Sequence, residues 1–274
     1  MNIYFDTEFT GLVPNTSLIS LGMVTEKGDK FYAEFNDWAL PTIPEGGNDW
    51  LKENVIDHLA TRKVVKYVDH FQYEEHYEYS DLFEKLMIDE NTEYYYGSTN
   101  YIRDKLIEWL KWHAHELPNK KSQRVQFVSD VCHYDFYLLQ NQVFGGALEM
   151  PEWINPVCYD IVWDIYEREY MGVGNNFNAT INMYHAFDIS REALVSRKDS
   201  LKFPEGIKHN ALYDAEVIKI LYEYYYKKKF CYRKSETIER FKEGHGCRDY
   251  FDTWFEDPEY LEAVKEWDRA GNNS

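Results

Sequence analysis

Three short stretches carry residues whose types and spacing could do chemistry: FDTEF at 5–9, HYDFYLLQ at 133–140 and KHNALYDAEV at 208–217. Asp6 and Glu8 follow the apolar run Ile3, Tyr4, Phe5. Alternation along a strand puts them on one face as neighbouring carboxylates. Such a pair repels, so it makes physical sense when solvated, matched by bases or neutralised by cations. His209 and Asp214 would point roughly 140° apart on a continuous helix. With Asn210 as the N-cap, however, His209 lies on the incoming loop and Asp214 in the first turn or so, and both can lean toward one cleft. The helix dipole favours a carboxylate there. Asp135 opens a helix directly after the β-type run VQFVSD, whose own Asp130 is the alternative carboxylate. The YD context and the aromatic and leucines that follow favour Asp135. Taken singly, each acid reads as a cap or a surface group.

Other elements must bring these stretches together. Residues 2–8 read as a first strand, and SLISLGMVTE with KFYAEFND reads as a hairpin across Glu26, Lys27, Gly28 and Asp29. After the Pro/Gly-rich PTIPEGG, Asn48 or Asp49 can cap a helix carrying Trp50, Leu51, Val55, Ile56 and Leu59. Residues 61–79 show no clean period and read as an irregular insertion. Ser80 can cap a short helix with Leu82, Phe83 and Leu86. A longer helix carries Ile102, Leu106, Trp109, Leu110 and His113 at helical spacing. DFYLLQNQVF reads as a helix stopped by Gly145 and Gly146, and strand followed by helix implies a crossover. Further helices are expected over 160–170, 190–195 and about 210 to 229. The pattern predicts an α/β layer fold with a central mixed sheet over residues 1–229, then a helical extension over 230–274.

The balance of 30 basic against 48 acidic residues, a formal charge of −18, excludes a broad basic surface for nucleic acid. Contact with such a polymer must be local. Candidates are Arg62, Lys63 and Lys66; Lys120, Lys121 and Arg124; and the run at 227–229 with Arg233 and Lys234, each also readable as ordinary solvated surface. The 24 tyrosines, 16 phenylalanines and eight tryptophans offer stacking platforms, although most must simply pack. The four cysteines form no CxxC pair and read as reduced thiols. Cys231, His245 and Cys247 do not complete a four-ligand zinc set. With no leader-like start and no apolar run near the ~18 residues of a membrane span, a cytoplasmic protein without a membrane partner is expected.

Asp-x-Glu on a first strand, Asp at a later helix start, then His-x4-Asp opening a late helix resembles the DEDD exonuclease superfamily, in its DnaQ-like DEDDh branch. FDTEFTGL is close to that family's FDTETTGL pattern, departing at Phe9, and HNALYDA fits its HxAxxDA pattern. Within the superfamily the chain looks most like the small mycobacterial-type exoribonuclease group that trims adenylate tails, through its DTEF start, LISLG second strand, YD and H-x-AL-x-DA.

The resemblance implies a ribonuclease-H-like sheet flanked by helices, two Mg²⁺ or Mn²⁺ ions, and 3′ to 5′ release of nucleoside monophosphates from a single-stranded RNA 3′ end. DNA remains an alternative substrate and a homodimer remains open. By the same carry-over Asp6 bridges both ions, Glu8 and Asp214 complete one site, Asp135 holds the second ion, and His209 is the general base. Phe9, Thr10 and Leu12 would meet the terminal bases, although packing at a strand end accounts for Phe9 and Leu12 equally. The chemistry of the residues agrees, since converging carboxylates need cations and hard oxygen ligands select Mg²⁺ or Mn²⁺ over zinc. A proofreading-type deoxyribonuclease and an inactive DEDD-like binding domain are the competing readings.

Overall fold

The computed structural model describes residues 1–38, 47–69, 72–115, 124–130, 132–162 and 201–224. The chain divides into two compact units, Met1–Leu221 and Tyr222–Ser274, and every strand among the described residues lies in the first. The helices expected over 163–170 and 190–195, the extension over 230–274, the basic groups at 120–121 and 227–234, and Cys231, His245 and Cys247 lie outside the described residues.

A six-stranded mixed sheet runs β6-β3-β2-β1-β7-β8. Its strands are β1 (Asn2–Phe9), β2 (Leu18–Thr25), β3 (Lys30–Phe35), β6 (Thr92–Gly97), β7 (Gln126–Ser129) and β8 (Tyr159–Asp160). β1 and β3 lie antiparallel to β2, whereas β6 is parallel to β3, β7 to β1 and β8 to β7. The hairpin from β2 to β3 closes where Thr25 Oγ1 donates to Asp29 at 3.1 Å, with Gly28 at φ 100°. That is the turn expected from the sequence. The strand β6, on TEYYYG, was not foreseen.

Residues 61–79 also differ from expectation. They form an antiparallel hairpin, β4 (Thr61–Asp69) against β5 (Gln72–Tyr79), pairing Arg62 with Glu78 and Lys66 with Glu74. Its residue types do not alternate as apolar against polar side chains, so the usual strand signal is weak.

Helices cover the sheet. On one face α3 (Thr99–His115) and α4 (Cys132–Leu138), continued by a π-turn at Leu139–Val143, bury Ile102, Leu106, Trp109 and Leu139 against Ile3, Phe5, Phe31 and Phe127. On the other, α2 (Asp81–Ile88) and α5 (residues 211–224) bury Leu86, Ala211, Leu212 and Ala215 with Val24 and Tyr32. α1 (Gly47–Asn54) packs Leu51 against Ile19, Val55 and Leu59. Trp50 stays 52% exposed, off the apolar stripe where the sequence reading put it. The helix is shorter than the sequence suggests: it ends at Asn54, a 3-10 turn at Ile56–His58 follows, and Val55 and Leu59 reach the same core from outside it, while Trp50 stands about 100° around the helix from Leu51.

Candidate active site

Alternation along β1 sends Ile3, Phe5 and Phe9 into the α3–α4 core and leaves Asp6 and Glu8 on the opposite face. β7 pairs with β1 only as far as Tyr4, opposite Val128. From Asp6 onward that edge of β1 is therefore open to the segment leaving β7, which begins with Asp130 and turns into α4. Gly22 stands opposite Asp6 on β2, and a Cβ there would collide with the backbone of Ala211 and Leu212. The missing side chain lets the start of α5 lie directly on the sheet beside Asp6.

That helix start is built as the sequence predicts. Asn210 is the N-cap, its Oδ1 accepting the Tyr213 N–H at 3.1 Å. His209 sits just before it in the left-handed region, at φ 65°. Its backbone N–H donates to Asp214 Oδ2 at 2.8 Å, which fixes both the histidine and the carboxylate. The His209 ring lies edge-on to Trp50, with centroids 5.1 Å apart.

On the other side of β1, Asp135 is buried and both its oxygens are engaged. Thr7 Oγ1 donates to Oδ1 at 2.5 Å and Ser129 Oγ to Oδ2 at 3.2 Å. Thr7 lies between Asp6 and Glu8, so one short stretch of β1 supplies two carboxylates to one side and a donor to the third on the other. Asp130 joins the same place. Its Oδ1 is buried and has no hydrogen-bond partner among the described residues.

Two groups of three carboxylates result, Asp6 with Glu8 and Asp214, and Asp6 with Asp130 and Asp135. Within each, one oxygen per residue lies within 4.8 Å of the others. Burial pushes Asp6 well above the ordinary carboxylate range, and the charges of Asp135, Glu8, Asp214 and Asp130 push it further. Glu8 and Asp130 are raised too, by burial first and then by their acidic neighbours. Burial raises Asp135 to about 7 although the Thr7 and Ser129 hydroxyls pull it down. No protein-family model and no curated protein matches the chain. Clustered acids in this space must either hold protons or bind cations, and the all-oxygen donor set with an orphaned Asp130 oxygen fits a hard divalent ion.

The residues expected at the substrate divide. Leu12 is 68% exposed. Phe9 stacks on Tyr134 of α4, centroids 5.8 Å apart and planes 12° from parallel. Thr10 is buried, and its hydroxyl accepts the Ser17 N–H at 3.0 Å, closing the loop between β1 and β2. Trp50, Thr7, Ser129 and Tyr134 were not foreseen. A tryptophan beside a helix's apolar stripe was the available signal for Trp50, whereas Thr7 and Ser129 become visible only once β1 and β7 are adjacent.

Proposed function

We propose that this protein is a metal-dependent 3′–5′ exoribonuclease releasing nucleoside 5′-monophosphates. The observation that carries the reading is the sharing of Asp6 between two three-carboxylate groups, which suits a pair of Mg²⁺ or Mn²⁺ ions. Asp6, Glu8 and Asp214 would hold one, and Asp6 with Asp135 and Asp130 the other. Such a pair, when bound, offsets the carboxylate charge, attracts a phosphodiester despite the acidic surface, and stabilises the attacking and leaving oxygens.

The chain's own groups do the rest. An imidazole is the side chain suited to take a proton near neutral pH, and His209 is placed to take that of the attacking water. The left-handed backbone and the bond from its N–H to Asp214 fix the His209 backbone beside that carboxylate. Thr7 and Ser129 keep Asp135 oriented. The exposed Leu12 and the Phe9–Tyr134 stack offer apolar surface to the terminal bases. The antiparallel order β3-β2-β1 followed by parallel β7 and β8 supports reading the sheet as ribonuclease-H-like.

The test is a gel of 5′-labelled RNA and DNA oligonucleotides with Mn²⁺ or with excess EDTA. A descending ladder from RNA with a free 3′-hydroxyl, abolished by EDTA, is expected. Undiminished cleavage in EDTA would sink the two-ion reading, and equal cutting of circular RNA would point to endonuclease chemistry. Faster loss of DNA would move the substrate to deoxyribonucleotides.

A further inference from the structure

Behind the carboxylate cluster lies another buried acid that the proposed chemistry does not use. Glu34 on β3 is 1% exposed, and four donors converge on it. Oε1 accepts the Ala60 N–H at 2.5 Å and the Tyr32 hydroxyl at 2.8 Å; Oε2 accepts the Thr61 N–H at 2.8 Å and the Tyr94 hydroxyl at 3.0 Å. A carboxylate this deep is held only because its lone pairs are so fully used.

The direction of these bonds matters beyond Glu34. An ionised carboxylate only accepts, so the Tyr32 O–H must point toward Glu34 and its oxygen must accept from elsewhere. Asn210 Nδ2, at 3.3 Å, is a donor so placed. With its amide nitrogen turned to Tyr32, Asn210 has its oxygen facing the other way, to cap the Tyr213 N–H. The backbone carbonyl of Asn210 takes the Asp214 N–H at 2.9 Å, and Asp214 holds the N–H of His209. Hydrogen-bond polarity thus runs unbroken from Glu34 through Tyr32 and Asn210 to the start of α5.

We infer that Glu34 is a positioning residue for the metal-holding end of α5, acting through the Tyr32 hydroxyl on Asn210 and so on Asp214 and His209. This rests on the reading of Asp214 as a metal ligand. Glu34 also takes the N–H groups of Ala60 and Thr61, where the β4–β5 hairpin begins, so it ties the root of that hairpin to the site helix.

Glu34→Gln would set an amide NH₂ among donors and can cost the fold itself, so the test uses the two tyrosines. Tyr32→Phe and Tyr94→Phe each remove one hydroxyl donor from Glu34, but only Tyr32→Phe disconnects Asn210. Thermal stabilisation of the purified chain is titrated with Mn²⁺ alone. Both variants should lose some metal-free stability. Tyr32→Phe should raise the half-saturating Mn²⁺ concentration about three- to tenfold, as loss of an outer hydrogen bond to a ligand group does. Tyr94→Phe should leave it within about twofold of the parent. Equal midpoints for the two variants, shifted or not, would overturn the positioning role while leaving metal binding intact. A parent chain with no Mn²⁺ response would instead overturn the metal reading, and this inference with it.

Discussion

Asp6 and Gly22 are partners across the β1–β2 ladder, and the space a side chain on Gly22 would occupy is filled by the backbone of Ala211 and Leu212. The carboxylate central to both acidic groups is thus placed beside a strand position where the backbone of α5 comes into direct contact with the sheet. Gly22→Ala should push that helix outward and carry Asp214 with it. Overpacking typically costs about 1–3 kcal/mol, and here the obstacle is rigid backbone. Thermal unfolding should show that loss, together with a weakened Mn²⁺ response. A variant with the parent's melting temperature and metal response would show that the close approach is not needed.

Asp130 and Asp135 give a second prediction. Sequence context favoured Asp135 alone, yet both reach Asp6, and Asp130 is the one with a buried oxygen lacking a partner. Asp130→Asn should therefore reduce activity by about a hundredfold or more, comparable with Asp135→Asn, if each supplies a ligand oxygen. In EDTA at neutral pH the same change should raise stability, because it removes a like charge from a crowded site. Near-normal turnover of Asp130→Asn would return the second ion to Asp135 without it.

How much of this was legible in advance depends on the range of the interactions involved. The β1 carboxylate pair, the Asn210 cap and the faces of α3 and α4 depend on spacing within a few residues, and the sequence displays that directly. Thr7 and Asp135 are 128 positions apart, so their bond exists only after β1 and β7 pair. The β4–β5 hairpin escaped because its strands are rich in charged and tyrosine residues, so neither shows the apolar alternation of a half-buried strand. Asn210 was legible as a cap, but its second bond, to Tyr32, needed β3 beneath it.

The raised carboxylates fix how the metal-free protein should respond to pH. An acid whose pKa is higher when folded holds its proton longer in the native state, so stability is lost as pH rises from the ordinary carboxylate pKa through the raised one. Asp135, at about 7, places that window between roughly pH 4 and pH 7, and Asp6, Glu8 and Asp130 act in the same direction. In EDTA the melting temperature should fall over this range, and Mn²⁺ should flatten the fall by favouring the ionised forms. Asp130→Asn should reduce the slope. A metal-free protein whose stability rises with pH across the window would contradict the burial of these acids.

Trp50 is half-exposed on a helix anchored by Leu51, and its ring meets His209. Leaving so large an apolar surface in solvent beside the candidate base suits a stacking partner for a nucleobase. Stacking on an aromatic is worth about 1–3 kcal/mol per base, so Trp50→Ala should raise KM for an oligonucleotide at least about fivefold, with little loss of stability. Trp50→Phe should recover most of it. If kcat falls and KM holds, Trp50 acts on the His209 ring and not on the substrate.

His209 can be separated from its own backbone. Because it lies at φ 65°, an alanine there adds strain, whereas asparagine tolerates the left-handed region and keeps the N–H that binds Asp214. His209→Asn should therefore retain Mn²⁺ stabilisation and oligonucleotide binding while turnover drops by about 10²–10⁴-fold, the usual cost of losing a positioned general base. Its pH–rate profile should also lose the acidic limb that a protonating base imposes. Asp214→Asn should lose metal response and turnover together. If His209→Asn turns over at near-parent rates across that limb, the proton goes to another group, and His209 serves the site only through its backbone.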